Sequence, residues 1–341
     1  MGAPSKGTPP SKPNTLPLVI ALGDPAGIGP EVVLKALARP EVVGRPVLIV
    51  GCRRWLELTH ALLRPLSDAP LADPADLEVV DAPLEQAVTL GQGNAASGAA
   101  SFAWLSRAWE LVQSGTGRAL VTGPIAKAAW HAAGFRYPGQ TERLAELCGV
   151  AQASMLFTAR PARGPWRFNT LLATTHIPLA QVPVVLSPDL VNLQLDRLLA
   201  FCQRFQPQPR LVVAGLNPHA GEAGALGHEE QTWLEACLRR WQANHPEVRL
   251  EGPLPPDTCW LEAARAWHEE DVGPDGFLAL YHDQGLIPVK LLAFERAVNT
   301  TLGLPFLRTS PDHGTAFAIA GQGVARSTSM VAALETAWEL G

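Results

Sequence analysis

The chain has 341 residues, 47% hydrophobic and 17% charged, which suits about two domains with buried cores and excludes a disordered protein. Its net charge of −5, from 27 basic and 32 acidic residues without a basic block, argues against nucleic acid as a partner. No apolar run approaches the roughly 20 residues that cross a bilayer, Met1 to Pro17 has no secretory pattern, and five scattered cysteines suit a reducing compartment; a cytoplasmic globular protein is expected.

Residues 1–15, rich in Pro, Ser, Gly and Lys, read as a disordered tail. A first apolar run at 18–22 is followed by a helical pattern near 30–39, runs at 47–50 and 77–80, and a helix near 97–114. Next come a run at 119–122, helices near 125–133 and 141–148, a run at 170–174 and a helix near 189–205. The pattern closes with a run at 211–214, helices near 229–243 and 259–269, and a run at 277–281. Apolar runs without strict alternation suit strands covered on both faces, and their alternation with helices predicts an α/β fold with a largely parallel sheet.

In such sheets ligands sit at the carboxyl ends of strands. Polar, turn-forming clusters follow five of the runs, at Gly23–Glu31, Thr122–Lys127, Thr174–Pro178, Gly215–Glu222 and His282–Gly285, and they read as the walls of one cleft. Three of the nine histidines, His176, His219 and His282, lie in these clusters. Each taken singly suits a satisfied surface or core residue; together they could hold one divalent cation and leave positions open for substrate. Asp283 could orient an imidazole or take a proton, and could equally make a local turn.

Neither Gly27-Ile28-Gly29 nor Gly321-Gln322-Gly323 completes G-x-G-x-x-G, and no Walker sequence exists. Gly27 and Gly29 before Pro30 leave two readings open, an anion-facing helix start or a plain strand-to-helix turn. Lysines are scarce, so Lys35, Lys127 and Lys290 draw attention. Lys290, Asn299 and Arg308, close to Pro311-Asp312-His313-Gly314, suit a small substrate carrying a carboxylate and a phosphate.

The five clusters, with Val298-Asn299-Thr300-Thr301-Leu302-Gly303-Leu304-Pro305, Arg308-Thr309-Ser310 and Asp312-His313-Gly314-Thr315-Ala316, stand in an order that resembles the 4-hydroxythreonine-4-phosphate dehydrogenase family of pyridoxal phosphate biosynthesis. The resemblance implies an isocitrate/isopropylmalate dehydrogenase-like fold, with two α/β domains around a cleft in a homodimer with a shared active site. Residues 16–140 with 300–341 would form the first domain and 141–299 the second, carrying the dimer interface. It also implies His176, His219 and His282 as ligands of one divalent ion (zinc, magnesium or cobalt), one of them supplied across the interface. Gln140, Thr141, Lys290, Asn299 and Arg308 become substrate contacts, with Lys290 and Asp283 the catalytic candidates. Gly23, Asp24 and Gly27, with His313, Gly314 and Thr315, become an NAD or NADP site. Gln140 stands where the family commonly has His, so it cannot change charge near neutral pH. The implied activity is oxidation and decarboxylation of 4-phosphooxy-L-threonine to 3-amino-2-oxopropyl phosphate. Alternatives are a paralogue acting on phosphothreonate or phosphoerythronate, and a phosphate acyltransferase of similar architecture.

Overall fold

The computed structural model describes residues 16–269 and 272–341; the tail expected over residues 1–15 lies outside the described residues. The first elements are β1 (Leu18–Ala21), α1 (Gly29–Leu37), β2 (Val47–Gly51), α2 (Arg53–Leu63), β3 (Val79–Asp81), α3 (Ala95–Gln113) and β4 (Ala119–Thr122). Next are α4 (Lys127–Ala132), α5 (Gln140–Leu147), β5 (Ser154–Ala159), β6 (Phe168–Leu172), α6 (Val182–Val185), α7 (Pro188–Cys202) and β7 (Arg210–Ala214). The last are α8 (Glu235–Asn244), β8 (Arg249–Leu254), α9 (Leu261–Glu269), β9 (Gly276–Ala279), α10 (His282–Ala293), β10 (Val298–Leu302), β11 (Leu307–Pro311) and α11 (Thr328–Leu340).

Local chemistry accounts for several boundaries. Pro30 lies in the first turn of α1, where no backbone donor is lost. Asn94 and Ser97 form a reciprocal cap at the start of α3, with bonds of 3.0 and 3.1 Å. In β1 every residue is buried, and Leu18, Val19 and Ile20 each contribute roughly 1.5–3 kcal/mol by leaving water. An aspartate at Ile20 would break this layer.

Among the described residues the strands form one sheet in the order β3-β2-β1-β4-β11-β10-β5-β6-β9-β7-β8. Both wings are parallel, as the alternating pattern predicts. The middle is different: β10 is antiparallel to β11 and to β5, and β5 is antiparallel to β6. The sheet is largely parallel, as expected, but the expectation that all five strand ends wall one cleft is corrected here. Three reversals leave the wings running in opposite senses, so β1 and β4 end at one end of the sheet and β6, β7 and β9 at the other. The cause is local, since β10 and β11 are joined by four residues, which can close an antiparallel pair but not a parallel crossover.

Candidate active site

Register places the polar residues of the sheet's middle on one face. Asn299 pairs with Ser310, Thr301 with Arg308 and Met155, and Arg308 with Leu120. Side chains alternate along a strand, so Met155, Thr122, Asn299, Thr301, Arg308 and Ser310 point the same way. Most of these line a cavity of about 330 Å³. Its walls are Gly123 to Lys127 after β4, Gln140 to Glu142 at the start of α5, His176 after β6, and Asp312 to Gly314 after β11.

Arg308 dominates this cavity electrostatically. It is 3% exposed, and its guanidinium donates to Thr122 Oγ1 (3.1 and 2.7 Å) and Thr301 Oγ1 (3.2 Å). Among the described residues no carboxylate lies within ion-pair distance of it. Burial pushes its pKa down to about 10, opposed by the more distant charge of Glu142; it is a cation at neutral pH. A buried charge with hydroxyl partners only is costly to the fold, and an anion entering the cavity would relieve that cost. Asn299 adds a second unmet demand, because its Oδ1 is buried and has no hydrogen-bond partner among the described residues.

The other expected substrate contacts divide. Gln140 lines the cavity and donates through Nε2 to Gly123 O at 3.0 Å, and Thr141 lines it too. Lys290 is not among the lining residues. Its ammonium pairs with Asp312, which does line the cavity, and lies 5.4 Å from the centre of the Phe294 ring. Burial raises the Asp312 carboxyl, and Lys290 opposes that rise.

Two of the three candidate ligands come together. Ala173 N donates to Ala279 O and Thr174 Oγ1 to Leu280 O, both at 2.8 Å, so β6 and β9 end side by side. The His176 and His282 rings that follow have centroids 5.4 Å apart. Burial first, then the His282 and Lys127 charges, lowers the His176 pKa, favouring the neutral imidazole that a metal ligand requires. His282 Nδ1 lies 2.7 Å from Asp283 Oδ1, an orienting contact of the kind that leaves Nε2 free. Buried Gln284 accepts from Leu280 N and donates to Gly215 O, tying β9 to β7.

His219 is set apart. It opens a run of left-handed backbone, with φ of 50°, 53°, 84°, 42° and 53° from His219 to Ala223. Four of those five residues are not glycine, and such backbone persists only where neighbours impose it. Glu230 Oε1 accepts from Leu216 N and Asn217 N, and Asn217 Nδ2 donates to Glu229 and Glu230. His219 Nδ1 lies 3.1 Å from Glu222, which raises its pKa. Its ring lines a separate groove of about 660 Å³ with Leu216, Tyr281, Asp283, Ile287 and Leu291. Among the described residues no group of three His, Cys, Asp or Glu side chains is placed to hold one ion.

The expected dinucleotide residues also separate. Gly314 and His313 line the cavity, and a β-carbon on Gly314 would meet open space. Thr315 is buried, and its carbonyl accepts from Ile28 N at 2.9 Å. Gly23, Asp24 and Gly27 are buried, and their polar groups are used inside the fold. Asp24 N donates to Pro124 O, Gly27 N to Asp24 O, and Ala26 N to Asp24 Oδ1. Of the two readings left open for this turn, the strand-to-helix turn is what its hydrogen bonds describe. Gly27 lets it pack against Thr315, whose carbonyl would lie 2.8 Å from a β-carbon there.

Thr122, Glu142 and Ser310 line the cavity without having drawn attention as single residues in the sequence. Thr122 and Ser310 carry no motif of their own; only strand register reveals them. Glu142 lies two residues from Gln140 in a helix start, where an acidic residue has an ordinary local reason.

Fold and cavity together define an α/β enzyme with a cleft for a small, strongly anionic substrate. The chain belongs to the family of the pyridoxal phosphate biosynthetic protein PdxA, whose model matches residues 37–337. Among its relatives is the 4-hydroxythreonine-4-phosphate dehydrogenase of Synechococcus sp. strain RCC307, 64% identical over 328 residues, with 95% of this chain and 99% of that one covered. The enzyme of the same name from Synechococcus sp. strain JA-3-3Ab is 54% identical over 332 residues, covering 95% and 94%. The crystal structure of 4-hydroxythreonine-4-phosphate dehydrogenase from Klebsiella pneumoniae matches with a TM-score of 0.81 at 37% identity, over 97% of this chain and 99% of that one.

Proposed function

We propose that this chain catalyses the NAD- or NADP-linked oxidation and decarboxylation of 4-phosphooxy-L-threonine to 3-amino-2-oxopropyl phosphate, in the cytoplasm, as a step of pyridoxal phosphate biosynthesis. The observation that carries this reading is Arg308, a buried guanidinium in the cavity with no carboxylate within ion-pair distance among the described residues. Family membership leaves no place for the acyltransferase alternative.

In the overall reaction the C3 hydroxyl loses its proton and carbon C3 its hydride, which passes to the oxidised nicotinamide, giving a 3-oxo acid that releases CO2 and takes up a proton at C2. Arg308, by a bidentate fork, and Lys127, as a point charge, bind the anionic ends of the substrate. Asn299, Thr141 and Gln140 orient it by hydrogen bonds, and Gln140 does so without exchanging a proton. Lys290 holds Asp312 at the cavity wall, and Asp283 fixes the ring of His282. His313, Gly314 and Thr315 form the dinucleotide side, with Gly23, Asp24 and Gly27 bracing that loop from beneath.

The donor chemistry fits a divalent ion (zinc, magnesium or cobalt): two adjacent imidazoles, one kept neutral by burial and one turned by a carboxylate. His176 and His282 of one copy with His219 of a second would hold it. Bound there, it supplies Lewis acidity at the substrate oxygen, while NAD or NADP supplies the hydride acceptor. The apolar groove beside His219, with exposed Leu261, Ile287 and Leu291, suits a homodimer interface. Residues 16–140 with 300–341 and residues 141–299 are the two α/β units on either side of the cleft.

Two measurements test this. Purified protein with 4-phosphooxy-L-threonine and NAD or NADP is expected to generate the reduced nicotinamide; activity with phosphoerythronate or phosphothreonate alone would overturn the substrate. His219→Ala and His282→Ala are each expected to be inactive and low in metal. Mixed together and allowed to exchange subunits, they should recover activity that neither has alone, because one site of each mixed dimer is intact. No recovery from a mixed dimer shown to form would overturn the shared site.

A further inference from the structure

We infer that Glu142 recognises the ammonium group of the substrate and so sets the preference for an amino acid over the matching hydroxy acid. This rests on the reaction proposed above. Arg308 and Lys127 bring positive charge to the lining of the cavity. Two carboxylates also line it. Asp312 is already paired, with Lys290. Glu142 has no ion pair and no hydrogen bond among the described residues.

Its placement is specific. Glu142 Oε2 would lie 3.2 Å from a β-carbon on Gly139, and Lys127 Cε 3.8 Å from the same point, so the two side chains converge beside the N-cap of α5. Its charge is felt by both Arg308 and His176, which line the same cavity. The ordinary reason for an acid in a first helical turn is to cap the backbone. Gly139 precedes the helix, but no side chain caps it.

A free carboxylate here works against a substrate that brings a phosphate and a carboxylate, unless a positive group of that substrate lies against it. The proposed amino acid has one such group. Phosphoerythronate, with a hydroxyl in place of the amine, has none. Glu142 therefore gains a charge-assisted hydrogen bond with one substrate and a like-charge penalty with the other.

The test is kcat/KM of wild type and Glu142→Gln on 4-phosphooxy-L-threonine and on 4-phosphoerythronate, with melting temperature as a check on folding. Glu142 is exposed, and the amide keeps its shape. The variant is expected to lose roughly 10- to 100-fold on the amino acid, the range of one hydrogen bond to a charged group, chiefly through KM. Turnover of the hydroxy acid should hold or rise. An equal fall on both substrates, or no fall on the amino acid, would overturn the assignment while leaving the dehydrogenase reading intact. A wild type inactive on the amino acid would overturn both.

Discussion

Lys35 and Arg308 are both 3% exposed, yet the fold treats them in opposite ways. Lys35 Nζ donates to Glu31 Oε1 at 2.8 Å, Gly323 O at 2.7 Å and Ala325 O at 2.9 Å. Glu31 Oε1 also accepts from Ala325 N. Every donor of that ammonium is used, and the pair staples α1 to the segment behind the His313 loop. Arg308 receives only hydroxyl oxygens. A buried cation satisfied by its own chain holds the fold together. One left short of negative charge marks where a ligand belongs.

Substitutions can break this contrast. The largest effect on stability is expected at Lys35→Met, which leaves Glu31 buried and unpaired and should cost about 3–5 kcal/mol in denaturant unfolding. The double variant Glu31→Leu with Lys35→Met should recover most of that, since a buried ion pair replaced by apolar groups is often neutral. Arg308→Met should do the reverse. It is expected to lower kcat/KM about thirtyfold or more, equivalent to about 2–5 kcal/mol of lost charge pairing, while the melting temperature holds or rises. Arg308→Lys should restore little, because a point charge cannot replace the fork.

A pH series sharpens the same comparison. Burial holds the folded Arg308 pKa at about 10, below the ordinary guanidinium range. Above that value the unfolded chain binds more protons than the folded one, so the instability caused by the buried charge fades as pH rises through about 10. Inorganic phosphate affinity, measured by calorimetry, should fall over the same rise, and Arg308→Met should show neither trend. The smallest effect is expected at Asn299→Leu. Loss of one neutral hydrogen bond should weaken substrate binding by about 1 kcal/mol, with stability unchanged because Oδ1 has no partner among the described residues.

The parallel wings were legible because strands covered on both faces are apolar, as at Leu18–Ala21 and Ala119–Thr122. The strands that floor the cavity were not. Val298-Asn299-Thr300-Thr301-Leu302 and Leu307-Arg308-Thr309-Ser310-Pro311 are polar because they face a ligand space, so an apolar-run criterion passes over them. β5 is apolar yet lies outside the predicted runs, and β8 carries Gly252 and Pro253 at the sheet's edge. Helix α10 was hidden by Gly285 and Pro288, two residues that read as breakers. Gly285 is required there, since a β-carbon would come within 2.5 Å of Leu172 Cδ2. Helices α2 and α11 also lie outside the predicted elements.

For the site, Gln140, Thr141, Asn299, Arg308 and His176 do meet in one cavity. Lys290 reaches it only through Asp312, a pairing across 22 residues that no motif announces. The adjacency of His176 and His282 depends on which strands are neighbours, and sequence spacing carries no trace of that order.

The left-handed turn from His219 to Ala223 carries a consequence for anyone selecting heat-resistant variants. Each alanine held there sacrifices roughly 1–2 kcal/mol relative to relaxed backbone, so Ala220→Gly and Ala223→Gly would surface early in a thermal screen. The same freedom would let the His219 ring wander from its bearing. Such winners would outlast the parent on heating and trail it in turnover.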